Sequence, residues 1–246
     1  MYVDFNKKNI KFNIVKSNFS PIFTKYETRY LINNYFKNSF NSQSVRLEKI
    51  EIDKNSELVI LNLSETDFYS LLTSNIIYRK DIKDDDEKIK KKLQQFKNQD
   101  VNDLTVLNNN TFSNNLAVSV MIEDINSHKL LVKRTSKVTI GTSLISVSVT
   151  GGVDFDTISN PNPISTTVKK EIKEELGLNI EEKQVLLEGI FIGQYKLQPV
   201  VICSVKLNNS FNDLKLYGED TKFEIDEIHI VTNDELQNYL ECPMSE

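Results

Sequence analysis

Three glutamates on one predicted helix are the residues of this chain best suited to chemistry. Glu171, Glu174 and Glu175 lie within the segment Lys170–Leu178, KEIKEELGL. At about 100° per residue, the three side chains leave the helix within an arc of about 100°. Carboxylates this close repel each other unless a cation lies between them, and Mg²⁺ prefers carboxylate oxygens as ligands. The spacing suits a divalent metal site, although helices rich in Lys and Glu also serve as solvated surfaces.

The elements around this helix are predicted to hold it against a sheet. A strand over Ile145–Val149 runs towards Gly151 and Gly152, and the helix extends from near Ser165 to Gly177, which suits a helix C-terminus. Four apolar runs with strand character complete the expected sheet on either side: Leu116–Glu123, Lys129–Lys133, Val185–Ile192 and Pro199–Val205. A last strand, Glu227–Val231, precedes a short helix that ends at Tyr239. Strands on both sides of one central helix predict an α/β/α sandwich with a mixed sheet.

The first part of the chain has a different pattern, so we predict two domains, 1–112 and 113–246. Residues 1–112 are expected to form a smaller α+β domain with strands Val45–Ile52 and Leu58–Leu63 and a helix Asp67–Ile76 capped by Ser64 or Thr66. The charged stretch 80–103 predicts a polar helix whose start carries three aspartates, and Asn108–Asn110 is a plausible linker.

Composition excludes several functional classes. The 246 residues are 39% hydrophobic and 26% charged, which is typical of a soluble globular protein. The net charge of −5, with scattered Lys and Arg, argues against a nucleic-acid partner. The N-terminus lacks a signal-peptide pattern, no run is long enough to cross a membrane, and Cys203 and Cys242 share no metal-ligand spacing. We expect a cytoplasmic protein with no membrane partner, and a homodimer is left open.

With these elements in order, residues 113–246 resemble the Nudix hydrolase superfamily. Its signature is G-x5-E-x7-R-E-U-x-E-E-x-G-U, where U is a bulky aliphatic residue. The second half is matched by Lys170, Glu171, Ile172, Glu174, Glu175, Gly177 and Leu178, with Lys in place of Arg. The first half departs from it, because its Glu position falls on Asn162 and its Gly position on Asp156. A loop inserted after Gly151 and Gly152 accounts for the shift.

The resemblance implies a set of site residues. Glu174 and Glu175 would bind the metal, Glu171 would be a ligand or the base that activates water, and Lys170 would take the place of the family's orienting Arg. A further acid downstream would complete the site; Glu219, Asp220 and Glu224 are the candidates, and Glu219 is chosen.

Four more residues are expected at the substrate. Lys133 and Arg134 would meet its phosphates, unless they are only strand-end charges, and Gly151 and Gly152 would let the backbone turn sharply beneath it.

The implied activity is hydrolysis of a nucleoside diphosphate linked to another moiety, with Mg²⁺, or Mn²⁺, as cofactor. The partner would be a small nucleotide conjugate. The segment 61–77, LNLSETDFYSLLTSNII, also resembles the branch of the superfamily that cleaves UDP-sugars, which would give UMP and a sugar phosphate; a chance match in an amphipathic helix stays open. The alternative is a nucleotide-binding or regulatory module of the same fold with little catalysis, because the first half of the signature is degenerate.

Overall fold

The computed structural model describes residues 2–37, 39–53, 55–102 and 105–240. Cys242 and part of the predicted turn after Asp53 lie outside this range. The strands are β1 Tyr2–Asp4, β2 Asn9–Ile14, β3 Gln43–Asp53, β4 Leu58–Asp67, β5 Ala117–Glu123, β6 Lys129–Arg134, β7 Ile145–Val147, β8 Val149–Gly152, β9 Val185–Ile192, β10 Pro199–Lys206 and β11 Ile225–Val231. The helices are α1 Lys25–Tyr35, α2 Phe68–Leu71, a π-helical turn Leu72–Ile76, α3 Ile77–Arg79, α4 Glu87–Lys97, α5 Pro163–Leu176, α6 Thr221–Glu224 and α7 Asn233–Leu240, with short 3-10 turns at Val106–Asn108, Phe155–Thr157, Glu182–Gln184 and Phe211–Asp213.

A mixed sheet carries the second half of the chain. Within the described residues its main path runs β1-β9-β10-β5-β6-β11, with β7 beside β6 and β8 beside β5. The β10–β5 pair is parallel, whereas β9–β10, β6–β11 and β5–β8 are antiparallel. Helix α5 packs across β5, β8 and β9, and α7 packs on β11. The predicted α/β fold with a mixed sheet is confirmed.

The first half of the chain forms a second sheet in the order β2-β4-β3. Its apolar side chains Val45, Leu47 and Leu61 belong to the same buried cluster as Val118, Val149 and other residues of the large sheet. Strand β1 joins the large sheet itself, where Val3 lies opposite Ile190. The division at residue 112 stays a prediction, and these contacts cross it.

A helix was expected over Asp67–Ile76, and the observed segment differs in its start and its winding. Asp67 is the N-cap, because its carboxylate accepts a hydrogen bond from the Ser70 amide at 3.0 Å, whereas Ser64 and Thr66 are still in β4. The middle of the segment winds as a π-helix. There Asn75 is fully buried and its amide nitrogen donates to the carbonyl of Leu197 at 2.7 Å. π-Helical turns are rare in proteins overall, but those that occur often lie at functional sites.

Candidate active site

Helix α5 positions the glutamates through an apolar stripe and two well-defined ends. Ile164, Val168, Ile172 and Leu176 repeat every four residues and are fully buried, which fixes the rotation of the helix. Asn162 caps its start by accepting from the Ser165 amide at 3.0 Å, with Pro163 in the first turn. Gly177 ends it with φ of 71°, in the left-handed region. The carboxylates therefore leave α5 in fixed directions.

Two of the three glutamates meet in one cavity of about 390 Å³. Glu171 and Glu175 line it together with Asp154, Asp220 and Glu224, and we call this space the acidic cavity. Glu174 does not join them, because it lines a separate groove on the other side of α5 with Glu219, Lys169 and Tyr217. An arc of about 100° is wide enough to send side chains of one helix to two different surfaces.

Two downstream acids, Asp220 and Glu224, line the cavity, whereas Glu219 lies in the outer groove. Hydrogen bonds to the backbone at the end of α5 determine which of these acids faces the cavity. The carbonyl of Glu174 accepts from the Asp220 amide at 2.9 Å, and the carbonyl of Glu175 accepts from the Thr221 hydroxyl at 2.5 Å. These bonds hold the start of α6 against the helix end, so that Asp220 and Glu224 face the cavity.

Burial and mutual repulsion disfavour the charged forms of these carboxylates. Desolvation, with the charges of Asp154 and Glu174, raises the pKa of Glu171 to about 8. Burial and the neighbouring Glu171 and Glu224 raise the pKa of Glu175 well above its usual value. The pKa of Glu224 is also raised by burial, although Arg134 opposes this. Clustered carboxylates with raised pKa values are a feature of functional sites.

Of the two predicted phosphate-binding cations, only Arg134 lines the cavity. It forms an ion pair with Glu224 at 2.9 Å and donates to the Thr150 hydroxyl at 2.8 Å, while its buried Nε has no hydrogen-bond partner. Lys133, one residue earlier on β6, points away and forms ion pairs with Glu227 at 2.5 Å and Asp226 at 3.5 Å. Alternation along the strand explains why neighbours separate.

Gly151 and Gly152 lie in β8, and neither has a positive φ, so the expected sharp turn at this pair is wrong. Gly151 has a different use: a Cβ placed there would overlap the carboxylate of Glu171. A Cβ at Gly152 would meet nothing within 4 Å. The first glycine therefore makes room for a site residue, and the second does not.

Lys170 forms an ion pair with Asp154, a residue that the sequence prediction missed. Asp154 lies in the inserted loop directly after Gly151-Gly152-Val153, and it lines the cavity. The pKa of Lys170 is raised mainly by its hydrogen bond to Asp154. The available signal in the sequence was an acid placed two residues after the Gly pair, ahead of α5.

The chemistry of the donor set fits a divalent cation. Five carboxylates line the cavity against two cationic side chains, Arg134 and Lys196, so hard oxygen donors dominate. Among the described residues, however, no three His, Cys, Asp or Glu side chains are already grouped closely enough to hold a metal ion. Also among the described residues, no helix combines the length and apolar character needed to cross a membrane.

No protein-family model matches the chain, and no curated protein matches it. Solved structures that it resembles include a MutT protein from Methanosarcina mazei Go1, at 16% identity over 50% of this chain and 80% of that one, with a TM-score of 0.37. A MutT/nudix family protein from Enterococcus faecalis matches at 15% identity over 63% and 53% of the two chains, with a TM-score of 0.38. A bifunctional NMN adenylyltransferase/ADP ribose pyrophosphatase from Francisella tularensis matches at 16% identity over 54% and 38%, with a TM-score of 0.40.

The name of the Enterococcus faecalis protein includes the family that residues 113–246 resemble in sequence.

Proposed function

We propose that this chain is a metal-dependent hydrolase of the phosphoric anhydride bond in a nucleoside diphosphate linked to another moiety. The observation that carries the proposal is the convergence of Glu171, Glu175 and Glu224 on one cavity beside Arg134. A pyrophosphate is multiply anionic, and five carboxylates would repel it. With Mg²⁺ or Mn²⁺ held by these carboxylates, the local field is reversed and favours the substrate.

Each residue has a distinct expected role. Glu171, Glu175 and Glu224 would hold the ion, and Glu171 keeps the alternative role of base towards water. When bound, the metal would supply charge stabilisation for the phosphates and an activated water. Arg134 holds Glu224 in place, and its remaining N–H groups would donate to a phosphate oxygen. Lys170 and Asp154 hold the loop after β8 against α5.

UDP-sugar is the sharper substrate hypothesis. Its support is the sequence resemblance of segment 61–77, and Phe68 and Leu71 of that segment line the acidic cavity. The resemblance therefore falls on residues that a substrate in the cavity would contact.

The test is release of nucleoside monophosphate from UDP-sugars, ADP-ribose, NADH and dinucleoside polyphosphates in the presence of Mg²⁺. For the substrate that is cleaved, we expect Glu175→Gln to lower kcat by about 100-fold or more, because it removes one of the carboxylates proposed to hold the metal. Glu219→Gln, in the outer groove, is the matched control and should stay close to the parent rate. A Glu175→Gln protein that keeps the parent rate would show that the site is misassigned.

A second candidate is a nucleotide-binding or regulatory module with little catalysis. It is favoured by the separation of Glu174 from Glu171 and Glu175, and by the absence of a ready-made group of three metal ligands among the described residues. This candidate predicts nucleotide binding by calorimetry without turnover, and steady product formation would exclude it.

A further inference from the structure

One wall of the acidic cavity is built entirely by the first half of the chain. It consists of Phe40, Ser42, Ser44, Phe68 and Leu71, and we call it the N-terminal wall. None of these side chains carries a charge, and three of the five are large and apolar. The wall thus differs in chemistry from the carboxylates and Arg134 that residues 134–224 contribute to the same cavity.

Pairing between β3 and β4 brings the two phenylalanines of the wall together. The register sets Gln43 opposite Asp67, at the end of β4. Just beyond it, the Phe68 amide donates to the carbonyl of Ser42 at 3.0 Å, and the Tyr69 amide donates to the side chain of Asn41 at 2.9 Å. Residues 40–42 therefore lie against the start of α2, which fixes the backbone at both phenylalanines.

The wall is also attached directly to the loop that carries Asp154. The Val45 amide donates to the carbonyl of Val153 at 2.8 Å, and Ser44 forms a β-bridge with Asp154. In turn, the carbonyl of Val45 accepts from the Leu116 amide at 2.7 Å. A ligand whose phosphates lie at the carboxylates would therefore have its remaining part within reach of the N-terminal wall.

The exposure of Phe40 indicates what that part is. Phe40 is 78% exposed, although most large apolar side chains of the chain are buried. An exposed aromatic face at a cavity is a stacking surface, and stacking of a nucleobase on an aromatic side chain contributes about 1–3 kcal/mol. Gln198, also in the cavity lining, offers both a donor and an acceptor to the edge of a ring.

We infer that the N-terminal wall is the subsite for the planar base of the nucleotide, with Phe40 as the stacking residue. The inference rests on the proposed function for the placement of the phosphates. It assigns base recognition to the half of the chain that lies outside the Nudix resemblance, so that the two halves divide the substrate between them.

The chain contains no tryptophan, which allows a direct optical test. Phe40→Trp keeps an aromatic face and introduces a single fluorophore that can be excited selectively. We expect saturable quenching by nucleoside monophosphates and no response to ribose 5-phosphate or inorganic pyrophosphate. Tyr26→Trp is the matched control, because Tyr26 is 81% exposed in the same half of the chain and is not part of the cavity lining; its emission should not change.

Two further variants measure the contribution of the ring. Phe40→Ala should weaken nucleoside monophosphate binding by about 5- to 150-fold, which is the stacking energy expressed as affinity, and leave pyrophosphate binding unchanged. Phe40→Leu, apolar but not aromatic, should recover less than half of the lost free energy. Since Phe40 is exposed, neither change should alter the thermal unfolding temperature.

The results separate the inference from the proposed function. Base-dependent quenching without hydrolysis of any substrate would support the subsite and overturn the hydrolase proposal. Hydrolysis with unchanged KM and kcat in Phe40→Ala would overturn the subsite and leave the hydrolase standing. Equal quenching by ribose 5-phosphate, or none by any nucleotide, would also overturn the subsite.

Discussion

Replacing Gly151 by alanine should remove function while leaving the fold intact. An added Cβ would overlap the Glu171 carboxylate and no backbone atom is among its nearest contacts, so a change of the Glu171 rotamer relieves the clash. The φ angle of Gly151 is not positive, and alanine is therefore compatible with its backbone. Alanine makes the unfolded chain less flexible, which stabilises the fold by about 0.4–1 kcal/mol. This offsets the cost of a poorer Glu171 rotamer, which is about 0.5–1.5 kcal/mol.

The functional cost is much larger than the net change in stability. Relieving the overlap moves the Glu171 carboxylate by about 1 Å or more, and a misplacement of that size at a reacting centre costs about 100-fold in rate. Mn²⁺ affinity should fall by about 10- to 100-fold, the usual effect of disturbing the surroundings of a metal ligand. The unfolding temperature should stay within about 4 °C of the parent.

The assay compares Gly151→Ala with Gly152→Ala, the neighbouring glycine with open space around its Cβ position. Calorimetry with Mn²⁺ needs no knowledge of the substrate, and kcat/KM on the cleaved substrate gives the second measurement. If Gly151→Ala is folded and both quantities stay within about twofold of those of Gly152→Ala, the assignment of Glu171 to the site is refuted.

Two further predictions concern stability. Asn75→Ala should lower the free energy of unfolding by about 2–4 kcal/mol in urea, because the buried Leu197 carbonyl and Asn114 amide both lose a partner, whereas exposed Asn34→Ala should change it by less than about 0.5 kcal/mol. For buried Glu27, desolvation raises the pKa, but hydrogen bonds from Lys92 and Thr24 outweigh it and lower the pKa to about 2. A folded pKa below the unfolded value of about 4.5 means that the stabilisation is complete above about pH 5 and is lost as the pH falls towards 2. Glu27→Gln should therefore lower the free energy of unfolding by about 1–2 kcal/mol at pH 7 and by almost nothing at pH 2, measured by denaturation at each pH. Glu51→Gln, in an exposed ion pair, is the control and should cost less than about 0.5 kcal/mol at pH 7.

Elements with a strong local pattern were predicted closely from the sequence. The apolar run Val185–Ile192 matches β9 in both bounds, and α5 begins two residues before the expected Ser165 and ends directly before Gly177. Their periodicity and their Pro, Asn and Gly boundaries are local properties. Strand β1 was missed because its three residues become a strand only by pairing with Gly189–Phe191, far along the chain.

In the candidate site, too, local spacing was predicted from the sequence, whereas long-range contacts were not. The spacing of Glu171 and Glu175 was enough to place both on one side of α5, because four residues make about one helical turn. The position of Glu174 depended on which surface the rest of the fold presents to each side of the helix. The choice of Glu224 over Glu219 depended on hydrogen bonds between α5 and the Asp220–Thr221 backbone. The register between β6 and β11 sets Arg134 opposite Ile225, next to Glu224, with which Arg134 forms its ion pair.

The acidic cavity depends on both halves of the chain. The carboxylates come from α5 and α6, whereas the bridge from Ser44 to Asp154 and the bond from Asn75 to Leu197 come from residues before 112. Leu197 adjoins Lys196 and Gln198, which line the cavity. Thus the first half of the chain supports two segments that would contact a substrate, in addition to the N-terminal wall. Changes of specificity should therefore arise in residues 40–75, where they leave the carboxylates of α5 undisturbed.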